Sequence, residues 1–109
     1  MSHYHDSEDL KLLASMKELA PAEFKGFVEL DSIVGKEGKI PVKYRELMAL
    51  AVAFTTQCPY CLDVHTRKAK RAGATREEVV ETAFIAAALR AGAAVTHGAL
   101  GLKLFDEAT

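Results

Sequence analysis

The sequence has few aromatic residues and no tryptophan: aromatic side chains make up 7% of its 109 residues, although half of the chain is hydrophobic. The apolar half therefore consists mainly of Ala, Leu and Val, and such small side chains allow helices to pack closely. The chain is long enough for one domain with one core, but much of its surface stays exposed at this size. Oligomerisation would therefore help to stabilise it.

An excess of positive charge is also missing, because the formal net charge is −1 and basic residues cluster only at positions 67–71. Nucleic-acid binding therefore has little support. The start of the sequence has no basic region followed by an apolar stretch, so we expect no secretory signal and a cytoplasmic protein. The most apolar window, residues 83–104, is interrupted by Arg90, His97 and Lys103. We expect a buried or interfacial helix there and no membrane span.

No stretch alternates apolar and polar residues as a β-strand does, whereas apolar residues recur at helical spacing along the chain. This spacing predicts an N-terminal helix within residues 1–20 and a second helix that begins at Pro21. A third helix should begin near Pro41 and, being apolar almost all round, lie buried in the middle of the fold.

The second half of the chain predicts further helices. Pro59 favours the first turn of a fourth helix, and Thr75 with Glu78 fits the capping box that opens a fifth. We expect Gly92 to kink or divide the fifth helix. The fold class is therefore all-α, with five to six helices in one compact domain whose main part is residues 21–109.

Both cysteines of the chain lie in the segment CPYCLDVH, residues 58–65. Cys58, Cys61 and His65 are spaced three and four residues apart, which places them on one face of a helix. Pro59 puts Cys58 at or near the N-cap of that helix. Because a stable structural disulfide is not expected in a reducing cytosol, the pair indicates catalysis, redox cycling or metal binding.

Spacing alone leaves open which cysteine is the nucleophile. A helix N-terminus stabilises a thiolate, which favours Cys58, whereas the imidazole of His65 is closer to Cys61. We interpret Cys61 as the attacking thiolate, with His65 accepting its proton and Cys58 converting the sulfenic acid into a disulfide. This arrangement fits attack on a peroxide O–O bond, and general disulfide reduction is the alternative redox chemistry.

Glu46 is the last charged residue before an apolar run at positions 47–54. A carboxylate there would be partly desolvated and suited to proton transfer, unless a cation such as Arg45 pairs with it. A surface glutamate at the start of a helix is the alternative interpretation.

Two interpretations without redox chemistry use the same residues. Cys58, Cys61 and His65 could supply three ligands of a tetrahedral zinc site, which Glu46, His97 or a neighbouring subunit would have to complete. The chain could also be a binding or scaffold protein with inactive cysteines. His97 either approaches the redox site or bonds to a backbone carbonyl or a subunit contact.

Glu46, Cys58, Cys61 and His65, in this order and spacing within a helical chain of this length, closely resemble the AhpD-like alkylhydroperoxidases of the carboxymuconolactone decarboxylase superfamily. The resemblance implies that Cys61 is the peroxidatic cysteine, that Cys58 resolves it, and that Glu46 and His65 form a proton relay. It implies an antioxidant hydroperoxide reductase that needs no metal or organic cofactor, because its redox group is the disulfide of the pair.

The resemblance also implies helical homo-oligomers, often trimers or hexamers, and a dithiol, lipoylated or thioredoxin-like electron donor. Tyr60 stands where the best-characterised members carry a histidine. A phenol with a pKa of about 10 does not act as a base near pH 7, but it can donate a hydrogen bond. The decarboxylase branch of the superfamily typically lacks the CxxC pair, so lactone decarboxylation is the less expected chemistry.

Overall fold

The computed structural model describes residues 4–109, and over this range the chain is helical without a β-strand. A 3-10 helix is followed by five α-helices, so the predicted all-α fold of five to six helices is confirmed. The 3-10 helix is Ser7–Leu12, and the α-helices are α1 (Leu13–Leu19), α2 (Pro21–Val34), α3 (Val42–Thr56), α4 (Pro59–Arg71) and α5 (Arg76–Glu107).

The N-terminal helix predicted within residues 1–20 is not one regular α-helix. Its first half is the 3-10 helix, and only α1 has α-helical geometry. Ala20 leaves the helical region with φ −140° and ψ 69°, because the ring of Pro21 disfavours a helical conformation in the residue before it. Residues 1–3 lie outside the described part of the chain. The boundary at residue 20, between the N-terminal helix and the main part of the domain, stays a prediction.

Helix α3 is central to the fold, since it packs against both α4 and α5. Its buried face consists of Glu46, Leu50 and Ala53, which follow one another at helical spacing. The rest of the helix is less buried than its apolar sequence predicted, because Met48 and Val52 on another face remain exposed. The centre of the fold is therefore one face of α3 and its two neighbouring helices.

Glu78 joins the start of α5 to α3. One of its carboxylate oxygens pairs with the Lys43 ammonium at 2.8 Å, and the other accepts a hydrogen bond from the backbone N–H of Thr75 at 2.9 Å. The Thr75 hydroxyl in turn accepts the Glu78 N–H, so the predicted capping box is confirmed. The bonds to Lys43 and Thr75 hold the pKa of Glu78 below its ordinary value, and the bond to Glu78 raises the pKa of Lys43.

This arrangement makes part of the stability of the fold depend on pH. The lowered folded-state pKa of Glu78 means that its contribution is fully present above the unfolded-state pKa, about 4.3, and is lost as the pH falls through the folded value. We therefore expect Glu78→Gln to be less stable than the wild type at neutral pH, and the difference to shrink toward about pH 3. Urea unfolding across this range measures it, with Glu77→Gln as the control, and a difference independent of pH would contradict the assignment.

Helix α5 is continuous from Arg76 to Glu107, so the predicted division near Gly92 is wrong. A glycine inside a helix costs only about 1 kcal/mol relative to alanine, and the alanines on either side of Gly92 are the best helix formers. From residue 87 onward the helix is exposed, with Val95 at 75% and Phe105 at 78%. By length and composition alone α5 could cross a membrane, but one such helix is weak evidence, because the core helix of a soluble protein passes the same test.

The N-terminal arm, residues 7–34, has no buried residue and touches α4 through its 3-10 helix. The radius of gyration of the chain is 18.2 Å, compared with about 13 Å for a compact domain of this length. A single chain thus leaves apolar side chains of α2 and α5 uncovered.

Candidate active site

The cysteine pair lies at the point where the chain turns from α3 into α4. Gln57 ends α3 in the left-handed conformation, with φ 55° and ψ 54°, and Cys58 follows in extended conformation as the N-cap of α4. The Cys58 sulfur accepts a hydrogen bond from the backbone N–H of Cys61 at 3.2 Å. It therefore occupies the place that the oxygen of a capping serine takes in other helices.

A disulfide joins Cys58 to Cys61, whose Cα atoms are 5.3 Å apart, a separation within the usual range for disulfides. Both cysteines are partly exposed. When the disulfide is reduced, a thiolate here faces the unpaired amides of the first turn of α4, which stabilise negative charge. The pair is thus accessible and lies where a thiolate is favoured.

Glu46 and His65 form the second part of the site. The packing of α3 against α4 brings the Glu46 Oε2 atom to 2.6 Å from Nδ1 of His65, although the two residues are nineteen positions apart. Glu46 is buried, with 4% of its surface exposed, and the His65 side chain is 23% exposed. Because a carboxylate can only accept, Nδ1 donates this bond, and Nε2 is left to exchange a proton.

Arg45 does not pair with Glu46. Its guanidinium donates instead to two main-chain oxygens, from Nε to Ile40 at 2.8 Å and from Nη1 to Val34 at 2.9 Å. Arg45 thereby links the end of α2 to the loop before α3. The Glu46 carboxylate is left to the imidazole of His65.

A cleft of about 360 Å³ opens beside this pair, between the end of α2, helix α3 and helix α4. Glu46 and His65 form part of its wall, and most of the rest is apolar; the apolar lining side chains are Val34, Ile40, Met48, Ala49 and Val52. The volume suits a small organic molecule. His65 thus faces the cleft and also lies one turn after Cys61, on the same face of α4.

The two secondary candidates lie elsewhere. The Tyr60 hydroxyl donates a hydrogen bond to Asp9 Oδ2 at 2.7 Å. This bond is the main cause, and burial the next, of the raised pKa of Tyr60. His97 is exposed on α5, and its Nδ1 bonds to the Ala93 carbonyl oxygen at 2.9 Å. Across residues 4–109 neither side chain forms a hydrogen bond with the cysteines, Glu46 or His65.

Sequence reasoning did not find Asp9, which belongs to the surroundings of the redox pair through Tyr60. Asp9 and Tyr60 are separated by 51 positions, and no local pattern connects them. Within the described part of the chain, no group of three or more His, Cys, Asp or Glu side chains is arranged to hold a metal ion.

The model of the carboxymuconolactone decarboxylase family matches residues 21–103 of the chain. Among solved structures, the apo form of a carboxymuconolactone decarboxylase family protein from Legionella pneumophila superposes with a TM-score of 0.71 and 32% identity, covering 93% of this chain and 91% of that one. A protein from Methanobacterium thermoautotrophicum has a TM-score of 0.71 and 29% identity, covering 78% of this chain and 96% of that one.

Two curated relatives are also similar. The uncharacterized protein 4 in the cox locus of Paracoccus denitrificans is 41% identical over 81 residues, which are 74% of this chain and 73% of that protein. An uncharacterized protein of Haemophilus influenzae is 34% identical over 102 residues, which are 94% of this chain and 90% of that protein.

Proposed function

The chain belongs to the carboxymuconolactone decarboxylase family, and from this premise we propose that it is a thiol-dependent hydroperoxide reductase with an antioxidant role in the cytoplasm. One observation carries the proposal. Helix α4 combines a cysteine pair that closes a disulfide at its N-terminus with an imidazole, four residues further on, that is bonded to a buried carboxylate. The reduced cysteine pair stores two electrons, and the imidazole with its carboxylate transfers protons.

The first half of the reaction takes place at Cys61. Nε2 of His65 accepts the thiol proton, and the Glu46 carboxylate stabilises the resulting imidazolium through Nδ1. The thiolate attacks the outer oxygen of the hydroperoxide, so that an S–O bond forms and the O–O bond breaks. The leaving alkoxide takes the proton from His65 and departs as the alcohol, and Cys61 becomes a sulfenic acid.

The second half returns the pair to the reduced state. The Cys58 thiol attacks the Cys61 sulfur, an S–S bond forms, the S–O bond breaks, and the hydroxyl leaves as water. A dithiol donor then reduces the disulfide by two thiol exchanges and becomes a disulfide itself. In balance, one hydroperoxide and one dithiol give one alcohol, one water and one disulfide.

The surroundings of the site support an organic hydroperoxide and an external dithiol. The cleft beside Glu46 and His65 is mostly apolar, with Asp31, Arg45 and Lys68 as further charged lining residues, and its apolar part suits the organic portion of such a substrate. The partial exposure of Cys58 and Cys61 suits reduction by a lipoyl group or a thioredoxin-like protein. The proposed reaction uses no metal and no organic cofactor.

We also propose that the protein acts as a homo-oligomer, as a trimer or a hexamer. Large apolar side chains are exposed along both α2 and α5, and exposed apolar surface that is contiguous marks sites of interaction with other proteins. The large radius of gyration of the single chain is consistent with a fold that packs against further copies.

A general disulfide oxidoreductase is the second candidate. The observation in its favour is that the described cleft has Glu46 and His65 in its wall but neither cysteine, whereas the disulfide itself is partly exposed at a helix N-terminus. Such a position is typical of pairs that exchange with other thiols.

A steady-state assay separates the two functions. Hydrogen peroxide and an organic hydroperoxide are each supplied with dithiothreitol, dihydrolipoamide or a thioredoxin-type protein as the donor, and peroxide loss is followed. We expect catalytic consumption of the organic hydroperoxide with at least one donor. Reduction of a test disulfide without any peroxide consumption would favour the oxidoreductase. If neither reaction is observed, the remaining interpretation is a binding or scaffold protein.

A further inference from the structure

The residue between the two cysteines connects them to the N-terminus of the chain. The Tyr60 hydroxyl donates to Asp9 Oδ2 at 2.7 Å, and the ring of His5 stands edge-on to the Tyr60 ring with 6.0 Å between the centroids. These contacts belong to the interface between the 3-10 helix and α4, through which the N-terminal arm touches α4. Tyr60 therefore holds the N-terminal segment beside the start of α4.

The segment held in this way is acidic. Asp9 Oδ2 also accepts the backbone N–H of Asp6 at 3.2 Å, and the Asp6 carboxylate accepts the N–H of Glu8 at 2.9 Å. These bonds fix Asp6 as the N-cap of the 3-10 helix and Asp9 in its first turn. Glu8 pairs with Lys11. Within the described residues Asp6 and Asp9 have no cationic partner, and their charges contribute to the raised pKa of Tyr60.

Two other carboxylates near the start of α4 have partners. Glu46 of α3 is bonded to His65, and Asp63 pairs with Arg67 one turn further along the helix at 3.1 Å. The basic side chains Lys68, Lys70 and Arg71 lie at the other end of α4, in its last turn. The first turn of α4 would by itself favour a thiolate, because its unpaired amides and the helix dipole attract negative charge. The carboxylate of Asp9, hydrogen-bonded to the side chain of the residue between the two cysteines, is a negative charge that opposes this effect.

We infer that Tyr60 and Asp9 are positioning residues of the redox pair: their hydrogen bond holds the acidic segment Asp6–Asp9 against the start of α4, where its charge disfavours the cysteine thiolates and biases the pair toward the disulfide. The biological meaning of this inference rests on the proposed function. A disulfide that is favoured in this way needs a more strongly reducing dithiol, so the segment selects among electron donors.

Two variants test the two parts of the contact. Asp9→Asn removes the charge and keeps an oxygen that can accept from Tyr60, whereas Tyr60→Phe removes the hydrogen bond and keeps the ring. Glu8→Gln is the matched control, because it also removes a negative charge from this segment. The Glu8 carboxylate is paired with Lys11 and is not bonded to Tyr60. Far-UV circular dichroism checks that each variant is folded.

The first measurement is the rate at which iodoacetamide alkylates the reduced proteins as a function of pH. We expect Asp9→Asn and Tyr60→Phe to react about three- to tenfold faster than the wild type at pH values below the midpoint of the profile, which should move toward acid. Glu8→Gln should change the rate by less than about twofold. The excess rate of Asp9→Asn should diminish in roughly 0.5 M KCl, because salt screens the charge.

The second measurement is the equilibrium of the disulfide with dithiothreitol, which should shift toward the dithiol by a similar factor in both variants. If both variants show the alkylation profile and the dithiothreitol equilibrium of the wild type, the inference is overturned. A change in thermal stability without a change in either measurement would also overturn it, because it indicates a contact with a structural role only. Neither measurement uses a hydroperoxide. A protein that is inert toward peroxide therefore leaves this inference standing, and failure here leaves the proposed function standing.

Discussion

The Cys61→Ser variant is expected to lose hydroperoxide consumption by about a thousandfold or more, because no other nucleophile remains to attack the O–O bond in the proposed mechanism. Cys58→Ser should behave differently. It should consume one hydroperoxide per chain and then stop, since the sulfenic acid at Cys61 has no resolving thiol. A reagent specific for sulfenic acids should add to Cys61 of this variant, and mass spectrometry of the peptide containing residues 58–65 detects the adduct.

The pair of variants also decides the direction of the reaction. The N-cap position of Cys58, with its sulfur bonded to the backbone N–H of Cys61, would favour Cys58 as the nucleophile, whereas His65 favours Cys61. A sulfenic acid that accumulates on Cys58 in the Cys61→Ser variant would reverse the roles. Full turnover by either single variant would refute the two-cysteine mechanism.

The second large effect is expected at Glu46. In Glu46→Gln the amide oxygen still accepts from Nδ1 of His65, so the ring keeps its orientation, but no negative charge stabilises the imidazolium. We expect kcat/KM for the hydroperoxide to fall about a hundred- to a thousandfold, with the helical circular dichroism spectrum retained. The pH dependence of the rate should also change, because the imidazolium that forms at His65 no longer has a carboxylate partner.

The control for this substitution is Glu81→Gln, which changes an exposed carboxylate on α5. Its rate should stay within about twofold of the wild type. An unchanged pH–rate profile in Glu46→Gln would remove Glu46 from the mechanism and leave it as a buried structural carboxylate.

Local sequence chemistry predicted where several helices begin, but not how far they extend or which of their faces are covered. Pro21 and Pro59 start helices because a proline lacks the N–H that the first turn leaves unpaired, and Thr75 starts one through its capping box. The division of α5 at Gly92 was wrong because surrounding alanines outweigh one glycine. Periodicity likewise identifies apolar residues without showing whether the same chain covers them, as the exposed half of α5 demonstrates.

In the candidate site, too, local sequence predicted the order of residues along a helix but not the contacts between elements. The placement of Cys58, Cys61 and His65 along one helix follows from their spacing, whereas the bond between Glu46 and His65 joins two helices and was implied only by the family resemblance. For Tyr60 the sequence predicted a hydrogen-bond donor. Its acceptor, Asp9, depends on how the N-terminal arm lies on α4, which no local pattern encodes.

The most direct test of the account is a titration of the reduced protein, without oxygen or any donor, by one equivalent of an organic hydroperoxide. We expect each chain to lose both thiols, to release one equivalent of the alcohol, to decrease in mass by two hydrogens, and to carry the new disulfide between Cys58 and Cys61. Unreacted hydroperoxide beside two intact thiols, or one zinc ion per chain after purification under reducing conditions, would contradict it.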